Sequence, residues 1–243
     1  MRGGEIMTEF NRREFIHRGL WLGAGVAGAA GLGGALIRPG AAEAARIQFI
    51  QTRCGRPGGP GGRVLVAYAS RCGSTGGVAQ AIGRELCQAG AQVDVKLADK
   101  VTDVSPYRAV IVGSAVRRGR WLSEAMEFVE KHQKILANRP TAYFQTCISL
   151  SHPSDQTRRV ARGYLNTVLN EFKAVKPVHL GMFAGVLDYD KISWLMRTVM
   201  RRKMEARGIK PGDYRDWAAI RAWARALTGR LALKAAAVPG PTS

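Results

Sequence analysis

The chain has 243 residues, 46% of them apolar, and a formal charge of +19 at neutral pH. That length suits one α/β domain with appendages, the apolar share supports a packed core, and no internal repeat points to a solenoid or propeller. The charge favours anionic partners, but nucleic acid is set aside because no helix-turn-helix, zinc or RNA-binding signature accompanies it.

The first 45 residues stand apart from that core. Asn11, Arg12 and Arg13 lead into Phe15 and Ile16, then an uncharged run over residues 19–37, then Ala42-Glu43-Ala44. A charged start, an apolar middle and a small-residue A-x-A site make a secretory signal, and the paired arginines resemble a twin-arginine export signal. The expected destination is the periplasm or the outer face of the cytoplasmic membrane. The run is also just long enough to span a bilayer, so an uncleaved anchor stays open as the alternative. Within it, Gly23-Ala24-Gly25-Val26-Ala27-Gly28 satisfies a dinucleotide fingerprint as a string. No strand precedes it and no βαβ unit surrounds it, so it is read as part of the export segment.

Residues 46–62 read as a linker, with Pro57-Gly58-Gly59-Pro60-Gly61-Gly62 as flexible punctuation. The domain is expected over residues 63–228 and a flexible tail over 229–243. It opens on a short apolar strand, residues 64–69, broken by Ser70, Arg71, Cys72, Gly73, Ser74 and Thr75. Val78, Ile82 and Leu86 then recur at helical spacing. Strand, tight loop and helix together point backbone N–H groups and a helix N-terminus at an anion, while Ser70, Ser74 and Thr75 offer hydroxyls and Arg71 a charge. The stretch reads as a phosphate cradle, with an ordinary βα turn as the other reading.

Further along, residues 92–97 alternate in polarity and read as a second strand toward the sheet edge. Residues 109–116 form a third, buried-type strand, running into Arg117-Arg118-Gly119-Arg120-Trp121 and a helix carrying Leu122, Ala125, Met126 and Val129. Residues 140–146 and 177–183 supply the fourth and fifth strands. The turn at residues 151–155 caps a helix through Val160, Tyr164, Leu165 and Val168, and a last helix carries Trp217, Ile220, Ala224 and Leu227. An open parallel sheet binds ligands beyond the carboxyl ends of its strands where the strand order reverses; in a 2-1-3-4-5 order the loops after the first and third strands would face one crevice.

Residues 63 to about 228 resemble a flavodoxin fold, and more narrowly the menaquinone-dependent protoporphyrinogen oxidases built on it. The resemblance is carried by residues 70–75, by Gly113-Ser114-Ala115-Val116-Arg117-Arg118-Gly119, and by Glu127-Phe128-Val129-Glu130-Lys131-His132. It implies a three-layer, doubly wound, five-stranded parallel sheet of order 2-1-3-4-5. It also implies FMN as cofactor, its phosphate held by Ser70, Arg71, Cys72, Gly73, Ser74 and Thr75. The ring would be edged by Ser114, Ala115, Val116, Arg117, Arg118, Gly119 and Trp121, with Thr146 and Cys147 in the loop after the fourth strand. Arg118 stands where a tyrosine is common in those enzymes.

Four cysteines, Cys54, Cys72, Cys87 and Cys147, lack metal-ligand spacing, and an oxidising compartment would permit disulfides that the sequence does not pair. Cys147 reads as a small buried hydrophobe and Cys87 as partly exposed. No histidine pair has ligand spacing and no catalytic acid or base is named; the flavin carries the chemistry. Arg117, Arg118 and Arg120 are suited to an anionic flavin or a substrate's carboxylates. Residues 189–207 read as a basic amphipathic helix, either packed on its own domain or lying on an anionic membrane surface. Two functions follow. The first is an oxidoreductase passing electrons from a reduced, porphyrinogen-like anion through FMN to a quinone. The second is an exported electron carrier between redox proteins.

Overall fold

The computed structural model describes residues 47–231 apart from 60 and 193; the side chains of residues 194–196 are left aside. The export signal therefore lies outside the described residues. In chain order the elements are β1 (Thr52–Cys54), β2 (Arg63–Ala69), α1 (Ser74–Gln88), β3 (Gln92–Leu97), β4 (Ala109–Arg117), β5 (Arg120–Trp121) and α2 (Ser123–Leu136). These are followed by β6 (Thr141–Cys147), α3 (Asp155–Glu171), β7 (His179–Ala184), β8 (Val186–Leu187), α4 (Trp194–Glu205), β9 (Gly212–Asp213) and α5 (Trp217–Arg230).

The parallel strands run β3-β2-β4-β6-β7, which is the expected order 2-1-3-4-5. Because helices cover both faces, β2 has no polar side. Val64, Val66 and Tyr68 face α1 and α5, whereas Leu65, Ala67 and Ala69 face α2 and α3. Most of the expected helical stripes are buried: Val78, Ile82 and Leu86 on α1, and Ile220, Ala224 and Leu227 on α5, are fully enclosed, but Val160, expected on the stripe of α3, is 42% exposed. Ser154 caps α3 in a reciprocal box with Thr157, as the polar turn before it implied.

Two expectations at the edges are corrected. The supposed linker contributes β1, which pairs antiparallel with β3, so β3 is not the outermost strand. β1 is held by more than its ladder. Arg53 reaches the buried carboxylate of Asp94, and Cys54 is disulfide-bonded to Cys87 in the last turn of α1. At the other end α5 runs through Gly229 to Arg230, and Leu231 is fully buried against the α1 side of the core; residues beyond it are not described.

The segment expected as one long helix over residues 189–207 is a short 3₁₀ turn at Tyr189–Lys191 followed by α4. Met204 packs with Leu187 and Ile209, and Met200 and Tyr189 border that cluster. Val199 remains 61% exposed. β8 and β9 pair at the base of this insertion, so α4 is presented from its own two-stranded stem.

Candidate functional site

The site is assembled at the carboxyl ends of β2, β4 and β6. After Ala69 the chain turns through Ser70, whose hydroxyl accepts from the Gly73 N–H at 3.0 Å and shapes the loop. Gly73 then takes a left-handed conformation, φ +81°, that opens α1 without a side-chain cap, and no acidic residue occupies the first turn. A helix start left in this state presents N–H groups and a positive dipole end to an anion. Beside it lies a cavity of about 380 Å³ bordered by Cys72, Gly73 and Ser74.

The other residues of this loop divide by task. Thr75 is fully buried and its hydroxyl pairs with that of Thr146 at 2.8 Å, tying α1 to the end of β6 rather than reaching into the cavity. Arg71 turns to Glu124 in the first turn of α2, with N–O separations of 2.7 and 3.1 Å, and so bridges two loops across the crevice. The Cys72 thiol donates to the Lys191 carbonyl, and burial first, then Asp188, push its pKa up. It is a lining group and not a thiolate.

The second loop is tighter than the sequence suggested. Arg117 pairs with Arg120 and Val116 with Trp121 across a two-residue turn, so the expected ring loop is a β-hairpin between β4 and β5. Its corner residues, Arg118 (φ 52°) and Gly119 (φ 77°), both have positive φ, as a primed turn requires. Arg118 is the one non-glycine residue with positive φ among the described residues. The turn points Arg117, Arg118 and Arg120 to solvent, and among the described residues none of the three forms an ion pair.

Beneath the hairpin the side chains are committed to support. Ser114 is fully buried, accepting from the Leu122 N–H and donating to the Ala115 carbonyl, both at 2.9 Å. Trp121 was expected to edge a ring, but it is 5% exposed. Its indole N–H donates to Gln145 at 3.1 Å and its ring meets Tyr143 edge-on at 5.4 Å. Ala115 and Val116 are half-buried at the base. Thr146 and Cys147 are enclosed, and burial raises the Cys147 thiol to about 11. Thr75, Ser114, Trp121, Thr146 and Cys147 are therefore taken up in supporting contacts; of the expected residues, Cys72, Gly73 and Ser74 border the cavity, whereas Arg120 borders a separate cleft between α2 and α3.

Several contributors were missed, among them the paired Asp188 and Lys191, 3.1 Å apart, which line the cavity from the segment between β8 and α4. Gln145 spans the floor, accepting from Trp121 and donating to the Ala161 carbonyl at 2.6 Å; a lone glutamine in the apolar run Tyr143-Phe144 was its one signal. Arg215 lies over Trp217 at 4.3 Å and donates to the Ser74 carbonyl at 3.2 Å, placing a cation at the cavity wall with Asp213 as counter-ion. Gln48 and Ile50, from the segment read as linker, line the same cavity. No spacing rule marks these last three, because they arrive from distant parts of the chain.

Residues 65–212 match the flavodoxin domain family. The chain belongs to that family. Among curated flavodoxin-domain relatives, protoporphyrinogen IX dehydrogenase [quinone] of Escherichia coli K12 is 27% identical over 173 residues, covering 67% of this chain and 93% of the relative. The enzyme of the same name from Leishmania major is 26% identical over 175 residues, covering 67% of this chain and 73% of the relative. Among solved structures, a short-chain flavodoxin associated with a bacterial microcompartment has a TM-score of 0.46 at 13% identity, covering 70% of this chain and 98% of that one.

Proposed function

We propose that this flavodoxin-domain protein is an FMN-dependent oxidoreductase that takes electrons from a reduced anionic substrate and delivers them to a quinone. The observation that carries the reading is the pairing of two features on one crevice. One is a helix start with no side-chain cap beside a cavity; the other is a rigid hairpin exposing Arg117, Arg118 and Arg120. The distant relationship to protoporphyrinogen IX dehydrogenases supports the same class.

The residues present fit FMN. The first turn of α1, from Ser74 on, would supply N–H donors for its phosphate, with the Ser70 and Ser74 hydroxyls beside them and Arg215 adding positive charge at the wall. Bound there, FMN supplies reversible two-electron or one-electron chemistry. The chain's own work is to orient and to exclude. The Ser114–Leu122 and Trp121–Gln145 hydrogen bonds stiffen the hairpin. Its arginines attract carboxylates, as on a porphyrinogen's propionates, and favour an anionic ring. Cys72 and Cys147 stay protonated, so neither acts as a nucleophile.

Export by the twin-arginine route belongs to the same proposal. A folded, cofactor-loaded protein is what that route carries, and the Cys54–Cys87 disulfide is a bond favoured in an oxidising compartment. The test is direct. Purified protein should be yellow, bind FMN stoichiometrically and, once reduced, be reoxidised by a menaquinone analogue. Reoxidation should slow when Arg117, Arg118 and Arg120 are replaced by glutamine. Yellow protein indifferent to both quinone and porphyrinogen would replace the enzyme with the electron carrier; colourless protein with no FMN affinity would end the redox reading.

A further inference from the structure

The segment ahead of the parallel sheet does more than connect. A Cβ built on Gly73 would stand 3.0 Å from the Gln48 carbonyl oxygen and 3.6 Å from the Ile47 side chain, so the chain passes directly over the start of α1. Gln48 and Ile50 border the same cavity as Cys72 and Ser74. The Tyr68 hydroxyl, at the end of β2, donates to the Ile50 carbonyl at 2.9 Å and pins the crossing from below. Residues 47–50 thus wall the cavity without filling it.

What holds this crossing in place lies just beyond it. β1 is only three residues long, too short an edge ladder to fix a strap by itself. Cys54, four residues after Ile50, is joined covalently to Cys87 on α1. Arg53 adds a charged contact to Asp94. Neither cysteine lines the cavity, so the disulfide acts on the strap and not on a ligand.

We propose that residues 47–50 form a retaining strap over the phosphate end of the cofactor site, and that the Cys54–Cys87 disulfide is its latch. The inference rests on the FMN reading above. With both thiols reduced, the strap keeps only its three-residue ladder, the Arg53–Asp94 contact and the Tyr68–Ile50 hydrogen bond, lifts more readily and lets the cofactor enter. Oxidation by a disulfide-donating partner then closes it. The two cysteines lose two protons and two electrons to the donor, one S–S bond forms between them, and the donor's disulfide becomes two thiols. Loading before oxidation and retention after it would follow from the order of compartments that an exported protein meets. Because the strap must lift in both directions, the latch slows uptake and release alike, with little change in equilibrium affinity.

The experiment uses the full chain, loaded with FMN and divided into an oxidised sample and one reduced with a small dithiol. Cys54→Ser and Cys87→Ser variants accompany them, all under conditions where each form is fully folded. Release is followed by recovery of flavin fluorescence on dilution, uptake by its quenching, and backbone amide exchange is read over residues 47–54 in the cofactor-free protein. Reduction or either substitution should speed release and uptake by about tenfold or more, equivalent to a lowering of the barrier by about 1.4 kcal/mol, and raise exchange over residues 47–54. Equal rates in oxidised and reduced protein, with FMN bound by both, overturn the strap and leave the site standing. A disulfide that only stabilises the fold gives that result, shifting the unfolding midpoint while leaving release untouched. FMN bound by neither form removes the site and the strap together. Should the serine variants fail to fold, the reduced wild type carries the comparison.

Discussion

Replacing Asp94 by asparagine tests how the added edge strand is held. Asp94 is 2% exposed on β3 and accepts hydrogen bonds from Arg53, from Arg63 at 2.9 Å and from the Tyr107 hydroxyl at 2.7 Å. Burial opposes its charge, but the donors from Arg53, Tyr107 and Arg63 outweigh it and hold the carboxyl at about 2, against an ordinary 3.8. A depression of that size corresponds to about 2 kcal/mol of folding stability, after a discount for the water that reaches the two arginines. The unfolded chain takes up the proton first as pH falls. The contribution is therefore whole above about 4 and disappears as pH drops toward the folded value of about 2. Asp94→Asn removes the charge but leaves Arg53 and Arg63, which are 60% and 37% exposed and can turn to solvent. The expected cost at pH 7 is accordingly about 2–3 kcal/mol, below the penalty for breaking a fully enclosed pair. Urea unfolding at pH 7 should show it as a lower midpoint, and the gap to wild type should narrow between pH 4 and 2. A gap under about 0.5 kcal/mol at pH 7, or one that does not change with pH, would refute the account of Asp94 as a charged anchor.

The buried Thr75–Thr146 hydroxyl pair predicts a coupled effect. Thr75→Val or Thr146→Val alone strands the partner hydroxyl and should cost about 1–2 kcal/mol, whereas the double variant should cost clearly less than the sum in a denaturation cycle. Gly73→Ala forces a left-handed alanine against the Gln48 carbonyl; about 1–2 kcal/mol of stability should be lost, and FMN affinity in a fluorescence titration should fall. If α4 touches an anionic membrane through Val199 and the surrounding Arg197, Arg201 and Arg202, replacing the three arginines by glutamine should reduce flotation with anionic vesicles, each charge being worth about 1 kcal/mol; equal flotation ends that role. Arg12→Lys with Arg13→Lys should leave the protein in the cytoplasm, and unchanged export of that variant would remove the signal assignment.

Sequence pattern carried most of the scaffold because the scaffold is local and periodic. Val64 to Ala69 has no polar face since both sides are covered, and Val78, Ile82 and Leu86 repeat every turn because one side of α1 meets the sheet. The tight loop between β2 and α1 was equally legible, since Ser70 and Gly73 act on a backbone only three residues away. Side-chain direction was not. Thr75 and Trp121 look like ligand groups in a motif, yet each finds a partner contributed by β6, at Thr146 and Gln145. The hairpin at Arg118-Gly119 escaped notice because an arginine in a primed turn breaks the usual preference for Asn or Asp beside glycine.

The amino-acid order alone marked buried strands alternating with helices, a loop apt for phosphate and three arginines after the third parallel strand; the strand order was implied by the resemblance to flavodoxins. Periodicity and turn chemistry act over a few residues, and the order records them directly. Only the tertiary structure decided that a glycine- and proline-rich segment supplies an edge strand, that Cys54 meets Cys87, and that Gln48, Ile50 and Arg215 border the cavity beside Ser74. Those contacts join parts of the chain separated by 33 residues in the disulfide and by 141 between Arg215 and Ser74. No local preference encodes such meetings; they exist because burying both faces of the sheet brings the ends of distant elements to the same edge.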